Sequence, residues 1–442
     1  MSQQELELPK GWVETKLNDI AIRLQAGGTP STKQSAYYEN GKIPFVKIDD
    51  ITDTNTKYLE TTKIKITKEG LNNSSAWLVP ENSILYSMYA SYGLPIINKI
   101  KVATNQAIIV YEPPKELISL DFIYYFLKFM GPFSTTKGTT QKNLNAGIVK
   151  NYQVLLPPLN EQKRIVSKIN QLFSYINSIE QSMKYTKQQL GGYRYSYNNW
   201  IFHGDFKEKF GFSSNWEEKP LGKMFKIIGG GTPDTTKPEY WNGDVPWVTS
   251  ADIHGIKNIL PRRTVTKLGI DNSATHKIPT NSILVVTRVG LGKLAITNSP
   301  VCINQDVQAI LIDSKAVLPL YVLNYLSQTI QIFRFRNQGT TISGVTKKQL
   351  FDIPFFLPSI DEQKKIIEHM ELVETKITNS QNIVNSTLQN IKNLKISIFK
   401  KAFEGKLVSQ DPNDEPASVL LEKIKSTKES QLTKKRITKN VK

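Results

Sequence analysis

The segment "AGGTPSTKQSAYYENGKIPFV" in the first half of the chain returns in altered form as "GGGTPDTTKPEYWNGDVPWV" in the second half. The correspondence runs on through both halves. Trp12 matches Trp216, Leu17 matches Leu221, and Gly28-Thr29-Pro30 matches Gly231-Thr232-Pro233. "PENSIL" meets "PTNSIL", Asn105-Gln106 meets Asn304-Gln305, "KGTTQ" meets "QGTTI", and "LLPPLNEQKRI" meets "FLPSIDEQKKI". The offset drifts only between about 199 and 204 residues, so the copies differ by short loop changes. A period this long is far above the roughly 20–50 residues of a solenoid repeat. Each copy is therefore a whole domain unit, and a chain of 442 residues is long enough for two cores.

Each copy has two parts. The first carries short apolar runs punctuated by Gly, Pro and Asn: "KIPFVKI", "SILYSMYA" and "QAIIVYE", then "DVPWVTS", "SILVVTRV" and "VQAILID". These read as strands separated by turns. "LDFIYYFLKFM" and "PLYVLNYLSQTIQIF" read as one helix per copy. The second part changes period. Apolar residues recur at Ile165, Ile169, Leu172, Ile176, Ile179 and Met183, and the register continues through Leu190, Tyr193, Tyr197 and Trp200. The later copy repeats it at Ile366, Met370, Val373, Ile377, Val384, Ile391, Leu394 and Ile398, with Ser380 and Thr387 as polar gaps. A seven-residue repeat held this long is a coiled-coil seam. Asn160 and Asp361 are expected as N-caps, with Glu161 and Glu362 in the first turn beside the positive helix end. Gly191-Gly192 costs the first helix about 2 kcal/mol relative to alanine and predicts a local bend. The stripe suits a bundle or a homodimer zipper too. One chain carrying two matching helices favours their pairing with each other, and the intervening domain leaves enough chain to run them antiparallel. The expected fold is α+β: two similar mainly-β or mixed domains separated by two long helices forming an antiparallel intramolecular coiled coil, pseudo-twofold symmetric. The expected boundaries are 1–158, 159–204, 205–358, 359–405 and 406–442.

Lys plus Arg exceed Asp plus Glu by 57 − 39 = 18. The final "LEKIKSTKESQLTKKRITKNVK" holds eight basic and two acidic residues, so most of the excess is spread over the folded body. The tail's composition predicts partial disorder after Glu422. A basic surface of this size meets a polyanion, nucleic acid being the usual one, unless it serves only for solubility. No apolar stretch approaches the length of a bilayer; "FIYYFLKFM" is short and contains Lys128. The N-terminus "MSQQELELPKGW" lacks the pattern of a secretory leader, and Cys302 is alone, so a reducing, cytoplasmic setting is expected. Duplex DNA has twofold axes of its own, and dimeric readers use two half-sites at fixed separation. Repeated residues would hold the scaffold, and the residues that differ would read unlike sequences.

The order and doubling of these motifs, with "AFEGKLVSQDPNDEPASVLLEKI" at the end of the second copy, resemble the specificity subunit of type I restriction–modification systems over nearly the whole chain. The resemblance implies two target recognition domains alternating with two helical spacers. It also implies a non-catalytic subunit that recognises a bipartite double-stranded DNA site and binds two adenine methyltransferase subunits. Further restriction/translocase subunits would complete the nuclease. S-adenosylmethionine is then expected on the methyltransferase partners, and ATP and Mg on the restriction partners, with no cofactor on this chain.

The residues agree that the chain is not itself the catalyst. "YEPPKE" and "LLPPLN" are its Pro-Pro pairs, and neither fits the Asn/Asp-Pro-Pro-aromatic loop of an adenine methyltransferase. "GLGKLAIT" lacks the spacing of a phosphate loop, and His203, His254, His276 and His369 share no metal-ligand spacing with Cys302. "NEQK" and "DEQK" contain the Glu-x-Lys of some nucleases, but helix capping explains them better. A methyltransferase or nuclease with unrecognised motifs and a coiled-coil protein scaffold remain as rivals. Candidate DNA contacts are basic, amide and aromatic residues at strand ends where the copies disagree. In the first copy these are Lys33, Lys47, Tyr86, Tyr89, Tyr92, Lys137, Gln141, Lys142 and Asn143. In the second they are Lys237, Arg262, Arg263, Arg288, Lys293, Gln338 and Ser343. Thr139, Thr140, Thr340 and Thr341 lie in the recurring Gly-Thr-Thr segments, which suit phosphate positioning. Arg288 aligns with Tyr89 and precedes "VGLGK", so it is placed either to take a guanine edge bidentately or to pair with a carboxylate. Asn105-Gln106 and Asn304-Gln305 read as hydrogen-bonded loop supports.

Overall fold

The computed structural model describes residues 8–54, 56–88, 93–133, 144–203, 206–212, 216–336 and 344–440. The first copy runs β1 (Val13–Lys16), β2 (Arg23–Ala26), β3 (Ile43–Val46), α1 (Ile48–Thr52), β4 (Tyr58–Leu59), β5 (Ile64–Ile66), α2 (Lys68–Asn72), β6 (Ile84–Ser87), β7 (Pro95–Asn98), β8 (Ala103–Thr104), β9 (Ile108–Glu112), α3 (Leu120–Phe133), α4 (Ala146–Lys150), β10 (Gln153–Leu156) and α5 (Leu159–His203). After α6 (Phe206–Lys209), the second runs β11 (Glu217–Pro220), α7 (Leu221–Met224), β12 (Lys226–Gly229), β13 (Trp241–Val248), β14 (Ile253–Gly255), β15 (Asn258–Ile259), β16 (Arg263–Val265), α8 (Lys267–Asp271), β17 (Ile283–Val286), β18 (Leu294–Ile296), β19 (Cys302–Ile303), β20 (Val307–Leu311), α9 (Pro319–Arg336), α10 (Lys347–Phe351), β21 (Pro354–Leu357) and α11 (Ile360–Phe403). A last helix, α12, spans Ala417–Asn440. The chain divides into two compact units, Met1–Ser182 with Thr387–Lys442, and Met183–Ser386.

The first unit holds a five-stranded sheet in the order β2-β9-β6-β7-β4, a three-stranded sheet β5-β3-β8, and the pair β1-β10. The second holds β12-β20-β17-β18, β16-β13-β19 and β11-β21, with the hairpin β14-β15 apart. The central strand of each larger sheet is buried on both faces. In β6, Ile84 and Tyr86 join one cluster while Leu85 joins another; in β17, Ile283 and Val285 go one way and Leu284 and Val286 the other. Two-sided burial is why these strands read as unbroken apolar runs rather than alternating ones. One face packs against α3 or α9, the other against the smaller sheet.

Within each unit the two long helices run antiparallel. In the first, Phe173 packs on Phe399 with ring centroids 5.0 Å apart, and Glu180 pairs with Lys395 at 2.6 Å. In the second, Lys187 meets Asn385 at 2.9 Å and Arg194 grips Glu374 with two bonds of 2.8 Å. Ile165, Ile169, Ile176, Ile366, Met370, Ile377, Val384, Ile391 and Ile398 are buried, and Leu172, Met183, Leu190 and Val373 are half-buried. Ile179 and Leu394, expected in the seam, are instead 48% and 49% exposed. A helix of 3.6 residues per turn drifts about 20° per heptad against a strict repeat, so the next residue takes the place. Those neighbours are Glu180 and Lys395.

Two further expectations change, those for the helix caps and for the basic tail. The long helices start one residue early, at Leu159 and Ile360, so Asn160 and Asp361 lie in the first turn rather than capping. At the second helix Ser359 caps: its hydroxyl accepts from Glu362 N at 3.3 Å, and its backbone N–H donates to the Glu362 carboxylate at 2.9 Å. The helix runs without interruption through Gly191-Gly192. The basic tail is helical because Ala417, Leu420 and Ile424, spaced along one face, are buried in the core of the first unit. Lys428 Nζ then donates to the carbonyls of Asn18 and Asp19 at 2.9 and 3.2 Å.

Candidate nucleic-acid interface

The letters that recur build the same local structure twice. A Cβ added to Gly27 would lie 2.0 Å from Thr104 O, and one added to Gly230 would lie 2.1 Å from Ile303 O. Only glycine lets these segments pass so close to β8 and β19, where Gly28 N donates to Thr104 O at 2.9 Å and Gly231 N to Ile303 O at 3.0 Å. Asn82 and Asn281 hold φ of 58° and 62°, and the next hydroxyls, Ser83 and Ser282, each donate to a proline carbonyl at 2.9 Å. Gln162 and Gln363, from the two "EQK" segments, are fully buried. Each accepts from the backbone near the start of α3 or α9, at 2.9 and 2.8 Å, and donates back to Pro157 O or Pro358 O at 2.9 Å. Glu161 accepts from Trp12 Nε1 at 3.0 Å. The "EQK" segments thus join each rod to its β domain.

The copies diverge where the central strand ends. In the second unit Thr287 N donates to Asp306 O at 2.9 Å and Val345 N donates to Thr287 O at 2.8 Å, which draws three loops together. Arg288 projects from this junction, 65% exposed, with Nη1 4.0 Å from Asp306 Oδ1. At that distance the carboxylate guides the guanidinium without consuming its donor fork. Gly290 and Gly292 follow at φ of 86° and 92°, and Lys293 folds back to donate to Ser250 O at 2.8 Å.

The other basic candidates of this unit are more engaged. Arg262 Nε donates to Asp252 Oδ1 at 2.8 Å. Burial pushes the Asp252 carboxyl up, but hydrogen bonds from the Thr249 hydroxyl and N–H, together with Arg262, outweigh it and hold the group below the usual carboxylate range. The Arg263 guanidinium lies 3.6 Å from the Trp241 ring centroid, and Lys237 Nζ donates to the Tyr240 hydroxyl at 3.2 Å. Arg262, Arg263 and Lys237 all retain solvent exposure, so phosphate contact is compatible with these partners.

In the first unit Lys33 is exposed and Lys47, at the start of α1, is half-buried. Tyr86 is 1% exposed and belongs to the core, which corrects its assignment as a DNA contact: it shares the inward face of β6 with Ile84. Tyr89, Tyr92, Lys137, Thr139, Thr140, Gln141, Lys142, Asn143, Gln338, Thr340, Thr341 and Ser343 lie outside the described residues. Sequence reasoning passed over Thr29, Thr232 and the outward role of Gln106 and Gln305. Each threonine hydroxyl donates to its glutamine, and both glutamines are exposed. The recurrence of Thr and Gln at matching offsets was the available signal.

Among the described residues, no group of three His, Cys, Asp or Glu is placed to hold a metal ion, and no helix is long and apolar enough to cross a membrane. The family model for the type I restriction modification DNA specificity domain matches twice, over residues 9–186 and 213–386. A type I restriction enzyme specificity subunit of Escherichia coli is 29% identical over 277 residues, 59% of this chain and 64% of that one. The putative type I restriction enzyme MjaX specificity subunit of Methanocaldococcus jannaschii is 24% identical over 91% of this chain and 95% of its own length. Among solved structures, the HsdS subunit from Thermoanaerobacter tengcongensis has a TM-score of 0.59 at 18% identity, covering 92% of this chain and all of that one. A chain from a structural study of type I R-M complex assembly reaches a TM-score of 0.70 at 18% identity, over 91% of this chain and all of its own. With the repeated framework, the unlike strand ends and two matches that together span most of its length, the chain belongs to the type I restriction–modification DNA specificity family.

Proposed function

We infer that the chain is the DNA-reading subunit of a type I complex, each copy recognising one half of a bipartite, asymmetric double-stranded site. The observation that carries this is the pairing of one framework with unlike residues at the same strand end, Arg288 where the first copy has Tyr89. Affinity comes from the basic surface meeting phosphates, and sequence choice from the divergent loops. The long helices, at 45 and 44 residues, set the interval between half-sites. Two adenine methyltransferase subunits, carrying S-adenosylmethionine, are positioned one per half-site. Restriction/translocase subunits, carrying ATP and Mg, complete the nuclease. Exposed apolar residues on the rods support such docking: Tyr175 and Ile179 in the first unit, Tyr185 and Ile383 in the second.

Replacing residues 205–358 with the same part of a relative, then mapping methylated adenines in host DNA, tests this. One half of the methylated sequence changes and the other stays. A change in both halves, or methyl transfer by the purified chain alone, would defeat the reading.

A further inference from the structure

One polar pair is built twice with the same geometry and lies outside both the core and the residues that differ between copies. Thr29 Oγ1 donates to Gln106 Oε1 at 2.5 Å, and Thr232 Oγ1 donates to Gln305 Oε1 at 2.7 Å. The backbone beneath each glutamine is pinned. Asn105 N donates to Val46 O at 3.3 Å and Asn304 N to Val248 O at 3.0 Å. Each asparagine side chain accepts from the amide two residues on, at 3.2 Å in both units. Ile108 N and Val307 N close the turn onto the asparagine carbonyls at 3.3 and 3.2 Å. Asparagine thus holds the loop, and glutamine is left over.

Both glutamines are exposed on these rigid turns. Their carbonyl oxygens are held by threonine, while the NH2 groups, with two donors each, have no hydrogen-bond partner among the described residues. The residue after each glutamine is bonded to the one that precedes the variable position in sequence. The carbonyl of Ala107, next to Gln106, accepts from Met88 N at 2.9 Å, one residue before Tyr89. The carbonyl of Asp306, next to Gln305, accepts from Thr287 N at 2.9 Å, one residue before Arg288.

What is identical in two readers of unlike sequences contacts what their half-sites have in common, and every duplex shares its phosphodiester backbone. We propose that Gln106 and Gln305 each donate through Nε2 to a phosphate oxygen, fixing the register in which the neighbouring variable residue meets the base edges. The inference rests on the DNA-reading function above. A neutral amide displaces no counterion, so this contact adds affinity without adding to the salt dependence that lysine and arginine create.

The test measures binding of the full-length chain to two duplexes, one carrying the sequence methylated in host DNA and one with both half-sites scrambled. Gln106→Ala and Gln305→Ala each weaken binding to both duplexes by about fivefold, with the slope of affinity against salt unchanged. Gln106→Glu and Gln305→Glu keep the acceptor for threonine but replace the outward NH2 with a carboxylate oxygen. They leave the melting temperature as it was and weaken binding more than alanine does. Glutamate variants that bind like the parent, or that lose stability with affinity, overturn the proposal. So does a loss confined to the specific duplex, which marks base reading, for example of the adenine to be methylated. A parent chain that fails to prefer the specific duplex brings down the DNA-reading function itself, an outcome distinct from a parent that discriminates normally while its glutamine variants show no loss.

Discussion

Arg288 aligns with Tyr89 of the first copy, and what the Arg288 side chain can do is set by the two residues before it. In β17 the apolar run has ended and Thr287 is tied down by backbone bonds on both sides, so Arg288 leaves the sheet into solvent. Replacing it with alanine should relax recognition at one base pair of the second half-site, costing about 1–3 kcal/mol of discrimination there, with the first half-site untouched. Methylation mapping of host DNA checks both parts. Nearby, Asp252 carries a different prediction. Its carboxyl titrates below the usual range, so its stabilising contribution is complete above the unfolded carboxylate pKa and disappears as pH falls through the lower folded value. Arg262→Ala removes one of the groups that lower it, so the carboxylate contributes less at neutral pH and what remains is fully lost at a higher pH. Melting temperatures of the two proteins should differ most at neutral pH and converge as pH falls below the carboxylate range; a difference that is absent at neutral pH, or that does not shrink in acid, would refute the assignment. Residue roles were only partly legible in the sequence. Tyr86 sat in an aromatic, strand-end cluster and read as a contact, yet strand parity with Ile84 already pointed it inward. Arg262 and Arg263 read as free cations, because nothing local shows that Asp252 and Trp241 will lie beside them.

At the scale of elements the helices were the most legible part, because a hydrophobic period sustained over many turns suits a long packed helix and little else. Their fine register was not. A heptad read strictly places Ile179 and Leu394 in the seam, whereas the accumulated drift of an α-helix puts the ion pair of Glu180 and Lys395 there. The caps failed for a related reason: Asn160 and Asp361 have the chemistry of N-caps, but the buried glutamines two residues on fix where each helix begins. Gly191-Gly192 lies inside an unbroken helix, and a Cβ at either position meets nothing within 4 Å. Alanine at each should therefore stabilise the helix by about 1 kcal/mol with no steric cost. Urea unfolding of the double variant should show a higher midpoint with an unchanged slope; a lower midpoint would mean that the glycines relieve a constraint absent from this structure.

For the whole molecule, duplication was visible from the first matched segment, and it carried the fold class because two copies of one pattern must satisfy the same packing twice. What separates the copies was not readable, since divergent exposed loops obey no packing rule that a sequence displays. The second copy replaces the short strand β4 with the β14-β15 hairpin, yet keeps the same support: Ile97 N donates to Lys57 O at 3.0 Å in one and Ile296 N to Ile256 O at 2.7 Å in the other. Because each copy closes its own core and its own reading edge, the copies should be interchangeable. A chain in which residues 1–158 also replace residues 205–358 would then read one half-site twice. On the proposed reading, the sequence methylated under the direction of this chain should hold the first half-site in both arms, with an unspecified interval between them. Retention of the original asymmetric sequence would contradict the assignment of one half-site to each copy.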